Sequence, residues 1–105
     1  MADARVIPWE REQGPTEEKI RKVYQSENLV PYRWSNGPGD VYAPHKHGYH
    51  KVIYVVRGTI TFGLPATGEA LELSAGDRLE LPAGVVHDAR VGLHGVVCLE
   101  AHQNA

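Results

Sequence analysis

His45 and His47 sit two residues apart at the end of Gly39-Asp40-Val41-Tyr42-Ala43-Pro44-His45-Lys46-His47, and His87 closes a second stretch running from Gly76. In an extended segment, residues two apart project to the same side. The pair therefore presents two imidazoles in one direction, and imidazole is a ligand for Zn, Fe, Cu and Ni. His87 follows the turn-forming Pro82-Ala83-Gly84. By itself a His-x-His pair is equally at home on a solvated strand, so the meaning of these three residues depends on the elements that position them.

Those elements are short and regularly punctuated. From Pro31 onward, Gly and Pro recur every eight to twelve residues, with runs rich in Val, Ile, Leu, Thr and Tyr between them. The pattern predicts strands near 31–35, 41–45, 50–57, 59–64, 69–73, 78–81, 85–91 and 95–101. Turns are expected at Asn36-Gly37-Pro38-Gly39, Arg57-Gly58, Pro65-Ala66-Thr67-Gly68, Ala75-Gly76-Asp77, Pro82-Ala83-Gly84 and Gly92-Leu93-His94-Gly95. Eight short strands so spaced indicate an all-β sandwich or barrel. Leu71-Glu72-Leu73 and Leu79-Glu80-Leu81 alternate, as half-buried strands do. Val52-Ile53-Tyr54-Val55-Val56 does not alternate, so both of its faces need cover. One cover is a barrel interior. The other is an N-terminal helix, a partner chain, or both.

Residues 1–30 read as an irregular arm followed by one helix, and 31–105 as the barrel, together a single structural domain. Thr16 is placed to cap the helix, Pro15 suits its entry, and Glu17 and Glu18 fall in its first turn. Ile20, Val23 and Tyr24 then form a narrow apolar stripe, and Asn28 is the expected stop. Tyr32 and Trp34 are expected to pack beneath this helix.

Composition excludes several functions. The net charge is −2 with histidines neutral, so no basic footprint points to nucleic acid. No apolar run is long enough to suggest a membrane span, and the N-terminus lacks a signal-like apolar core. The single cysteine, Cys98, has no internal partner and reads as an inert buried thiol, which points to a reducing cytoplasm. There is no phosphate-binding glycine loop and no serine nucleophile elbow.

The two histidine stretches resemble the motifs of the cupin family. The first family motif runs Gly, five residues, His-x-His, three or four residues, Glu, six residues, Gly; Gly39, His45, His47 and Gly58 match it. The second runs Gly, five residues, Pro-x-Gly, two residues, His, three residues, Asn; Gly76, Pro82, Gly84 and His87 match it, and Val91 replaces the Asn. The resemblance spans about residues 30–101. It implies an all-β double-stranded β-helix, or jelly-roll barrel, with the short helix added in front. It also implies a homodimer, and a divalent transition metal (Fe, Zn, Mn or Ni) on His45, His47 and His87.

Lys51 is the departure, because it occupies the slot of the family's metal-binding glutamate. An ammonium cannot ligate a metal and repels one. Either a three-histidine site persists, completed by water or an anionic substrate, or the metal is weak or lost and the pocket binds a ligand without it. Lys51 is the one candidate catalytic residue. His50 precedes the slot; a regular strand leaves it exposed on the opposite face, whereas a β-bulge swings it inward as a fourth ligand. Tyr42, Tyr49 and Tyr54 are candidate pocket residues, with core packing as their ordinary role. Function then divides between a metal-dependent enzyme of dioxygenase or isomerase type, acting on a small anionic or carbonyl substrate, and a non-catalytic module that binds or senses a small ligand.

Overall fold

The structure is a computed structural model that describes residues 3–103. Its elements are β1 (Arg5–Ile7), α1 (Glu17–Ser26), β2 (Tyr32–Asn36), β3 (Val41–His45), β4 (His50–Leu64), β5 (Glu69–Leu73), β6 (Arg78–Leu81) and β7 (His87–Gln103). All strand pairings are antiparallel, in the order β1-β6-β4-β7-β2, with β3 also on β7 and β5 also on β4. The expected all-β jelly-roll is the fold found.

Two long strands carry the architecture. The first half of β4 pairs with β6 and its second half with β5, while β7 pairs along both halves of β4. The turns expected at Arg57-Gly58 and at 92–95 are instead irregularities within these strands. Gly58 pairs with Val96 and Ile60 with Val91, so residues 92–95 loop out of the ladder. Gly58 and Gly95 meet there with φ of 83° and 77°. A Cβ on Gly58 would collide with the Gly95 carbonyl, so this bend requires glycine. The bend folds one long ribbon into two facing layers and makes four of the expected strands into two.

The arm departs from expectation too. Arg5–Ile7 forms a strand on β6, with Val6 opposite Leu79. The helix begins where the sequence indicates: Thr16 accepts a hydrogen bond from the Lys19 amide at 3.2 Å. Asn28, at φ 58°, follows its last turn in the left-handed conformation.

The doubly apolar strand is covered on both sides by this chain. Ile53 and Val55 point into the barrel with Ile60, Leu79 and Cys98. Val52 and Tyr54 point outward, onto Ile20, Val23 and Tyr24 of α1. Tyr24 is fully buried, and its hydroxyl reaches the Val52 and Leu99 carbonyls at 2.7 and 3.0 Å. The helix thus supplies the outer cover, and that face gives no separate argument for a partner chain. Among the described residues, no helix is long and apolar enough to cross a membrane.

Candidate metal centre

Strand β3 ends on His45, the following loop carries His47, and β7 begins on His87, directly opposite His45 in register. The Gly84 amide donates to the His47 carbonyl at 2.8 Å, tying the loop before β4 to the loop before β7. One potential ligand atom from each of His45, His47 and His87 falls within 4.8 Å of the others.

Hydrogen bonding decides which nitrogens are free. His45 Nδ1 lies 2.7 Å from the Ala43 carbonyl and His87 Nδ1 lies 2.9 Å from the Val85 carbonyl. A carbonyl only accepts, so each Nδ1 carries the proton and donates. Each Nε2 therefore holds a lone pair. His47 Nδ1 is 3.3 Å from the Tyr49 hydroxyl, and its Nε2 is buried with no hydrogen-bond partner. A buried, unpartnered ring nitrogen is costly. Burial, followed by the charge of Lys51, pushes His47 below the usual histidine range. Burial also lowers His87, against the opposing effect of its Val85 hydrogen bond. Both are thereby kept neutral, the form that binds metal. This donor set, oriented through the remote nitrogens, fits a divalent transition metal.

The centre opens on a cavity of about 290 Å³ lined by His45 and His87, by the apolar Ile53, Ile60, Phe62 and Ala89, and by Tyr32, Trp34, Asn36, Tyr42, Lys51 and Glu100. Lys51 faces this cavity. Its Nζ lies 3.4 Å from Glu100 Oε2, with the two side chains 13% and 3% exposed. Glu100 also accepts from the Tyr32 hydroxyl at 2.5 Å, from Trp34 Nε1 at 3.1 Å, and from His102 Nε2 at 2.7 Å. Burial alone would raise its carboxyl, but the bonds from Tyr32 and His102 and the charge of Lys51 outweigh burial and hold it below the usual carboxylate range.

Several expectations are corrected. His50 does not join the histidine cluster; its Nε2 lies 2.6 Å from Glu80 Oε1. No bulge turns it inward, because the β4 ladder is regular from His50 to Val55. Tyr54 does not line the cavity. It lies on the face opposite Lys51 and Ile53, edge-on to Trp9 and Tyr24 at 6.4 and 5.4 Å. Tyr32 and Trp34 lie in the cavity wall, away from the helix. Tyr42 lines the cavity and bonds Asn36. Tyr49 stacks on His47 and His102, with ring centroids 5.2 and 4.0 Å apart. Cys98 is buried, and burial pushes its thiol up to about 12. Glu100 was not among the expected site residues. Its signal is parity: it shares the inward face of β7 with Val96 and Cys98, where a charge needs a partner.

The fold agrees with comparisons to known proteins. The family model described as "Cupin domain" matches residues 32–92. Among solved structures, an RmlC-like cupin from Shewanella frigidimarina is similar at 26% identity and TM-score 0.62, over 73% of this chain and 67% of that one. The polyketide cyclase RemF from Streptomyces resistomycificus is similar at 25% identity and TM-score 0.62, over 70% of this chain and 54% of that one. The DMSP lyase DddQ from Ruegeria pomeroyi shares the fold at 21% identity and TM-score 0.65, over 72% of this chain and 38% of that one. This chain thus spans about half of the cyclase and well under half of the lyase. No curated protein matches it in sequence.

Proposed function

The chain belongs to the cupin family, and on that premise we propose that it is a metal-dependent enzyme acting on a small anionic or carbonyl substrate. Fe, Zn, Mn or Ni would be held by His45, His47 and His87. The observation that carries this reading is the orphaned His47 Nε2 beside two imidazoles whose Nδ1 atoms are already committed to carbonyls. Bound there, a divalent ion supplies Lewis acidity toward a carbonyl or enolate oxygen. With three neutral ligands it keeps its full double charge, which favours an anionic partner. The apolar walls at Ile53, Ile60 and Phe62 receive the hydrocarbon part of the substrate, and Tyr42 and Asn36 offer hydrogen bonds. The likeness to a polyketide cyclase supports carbonyl chemistry of isomerase or cyclase type over oxygen chemistry.

Metal analysis and turnover together test this reading. Equilibrium dialysis against Zn(II), Mn(II), Ni(II) and Fe(II) is expected to give one equivalent of at least one ion per chain, and none in the His45→Ala/His87→Ala double variant. Solvent-deuterium exchange at the α-carbon of 2,4-pentanedione, followed by NMR, is expected to accelerate with the loaded protein. Dioxygen uptake instead would transfer the reading to a dioxygenase. Binding of small carboxylates, thiols and diketones without turnover would favour the second reading, a ligand-binding module, which draws on the lysine in the carboxylate slot.

A further inference from the structure

Lys51 raises a physical problem that the histidines alone do not solve. It projects into the cavity that His45 and His87 line, and its Nζ lies 6.0 Å from the ring centre of Tyr49, the residue whose hydroxyl approaches His47 Nδ1. An unpaired ammonium so close to the cluster opposes any cation bound there. Yet it is not unpaired. Lys51 stands opposite His102 and Ile53 opposite Glu100, so the Glu100 carboxylate on β7 reaches Lys51 diagonally across the ladder at 3.4 Å.

Glu100 is not placed as a ligand itself. It falls outside the cluster of mutually close ligand atoms, and both oxygens are in use: Oε1 accepts from Trp34, and Oε2 from Tyr32, His102 and Lys51. Three of those four donors come from β2 and β7, so the carboxylate is held in place independently of Lys51 and pairs with its ammonium.

We propose that Glu100 is a positioning residue for the metal centre, pairing with Lys51 and neutralising its ammonium beside the three histidines. The carboxylate missing from the metal's own ligand set thus acts at one remove, from β7, through Lys51. This inference rests on the metal reading above and identifies what makes that reading compatible with a lysine in the carboxylate slot. The metal keeps its double charge, the Lys51–Glu100 pair adds none, and the cavity remains selective for anions.

A double-mutant cycle tests it on the full chain, with Zn(II) affinity measured by competition against a chromophoric chelator. Glu100→Gln is expected to weaken Zn(II) binding about ten-fold or more, the scale of losses on removing a group that supports metal ligands. Adding Lys51→Met to Glu100→Gln is expected to restore affinity to within about three-fold of the parent, since the repelling charge has gone. Lys51→Met alone is expected to tighten binding. A Glu100→Gln variant that binds like the parent, or one that Lys51→Met does not rescue, overturns the inference and leaves Glu100 a purely structural anchor. Should Glu100→Gln fail to fold, Lys51→Met alone decides, and unchanged or weaker binding counts against the inference. A parent protein that takes up no Zn(II) overturns the metal reading and this inference together; a parent that binds, with Glu100→Gln unaffected, overturns only the inference.

Discussion

The Gly84 amide donates to the His47 carbonyl at 2.8 Å, so the turn that launches His87 and the loop that carries His47 are one hydrogen-bonded unit. Gly84 adopts φ 82°, with open space where a Cβ would stand. Replacing it with alanine therefore costs backbone strain alone, about 1 kcal/mol. Gly84→Ala is expected to lose that much stability in urea denaturation and to weaken metal retention. Gly84→Pro also removes the amide donor and is expected to lose more of both.

The imidazoles of half-buried His47 and buried His87 set a pH dependence. His47 and His87 lie below the usual value of 6.5 in the folded chain. Between that value and their folded values the unfolded chain binds more protons, so folding stability falls as pH falls through this window and is unaffected above it. The urea midpoint of the metal-free protein is expected to be flat above about pH 7 and to decline below about pH 6.5. His87→Gln is expected to flatten that decline. A second loss is expected below the ordinary carboxyl value of 4.5, because Glu17, Glu27 and Glu100 are all lowered in the fold. Their stabilisation is present above 4.5 and is lost as pH falls through their folded values.

What the sequence makes legible follows from what leaves a local signal. Turn residues and motif spacing mark the strands and single out the three histidines, because glycines and prolines act within a few residues. The helix start is equally local, being written in Thr16 and the acids after it. Arg5–Ile7 leaves no such mark: a three-residue strand has no periodicity, and it exists only because β6 offers an edge. Strand parity decides between the two roles open to Tyr54, since Lys51 and Ile53 face inward and Tyr54 must face out, where it packs in the core beneath the helix. Glu100 is harder. A lone glutamate in an apolar strand becomes meaningful only when Lys51 is brought across from the neighbouring strand.

Tyr24 carries the contact between helix and barrel. It shares its proton between the Val52 and Leu99 carbonyls, on adjacent strands, and its ring packs edge-on to Tyr54. Burial keeps its hydroxyl protonated far above the usual tyrosine range. Tyr24→Phe retains the ring and deletes only the donor, so the loss is expected to be about 1–2 kcal/mol, the scale for leaving buried acceptors unpaired. Denaturation monitored by circular dichroism measures it. Because Tyr24 lies on the opposite side of the sheet from the histidines, metal affinity is expected to be unchanged.

The two tryptophans provide a test of where ligands bind. Trp34 lines the cavity and donates to Glu100 Oε1 at 3.1 Å, whereas Trp9 lies outside the barrel, with its indole donating to the Gln13 carbonyl at 2.7 Å. A small carboxylate entering the cavity changes the surroundings of Trp34 and leaves Trp9 alone. Titration of the metal-loaded protein with acetate or 2,4-pentanedione is expected to shift indole emission. Trp9→Phe is expected to keep that response and Trp34→Phe to abolish it. A response that survives in Trp34→Phe and disappears in Trp9→Phe would place the binding site on the outer surface near α1. Loading with metal before titration matters, since the anion is drawn chiefly by the ion's uncompensated charge. Omitting the metal is therefore expected to weaken the response by about ten-fold or more in apparent affinity.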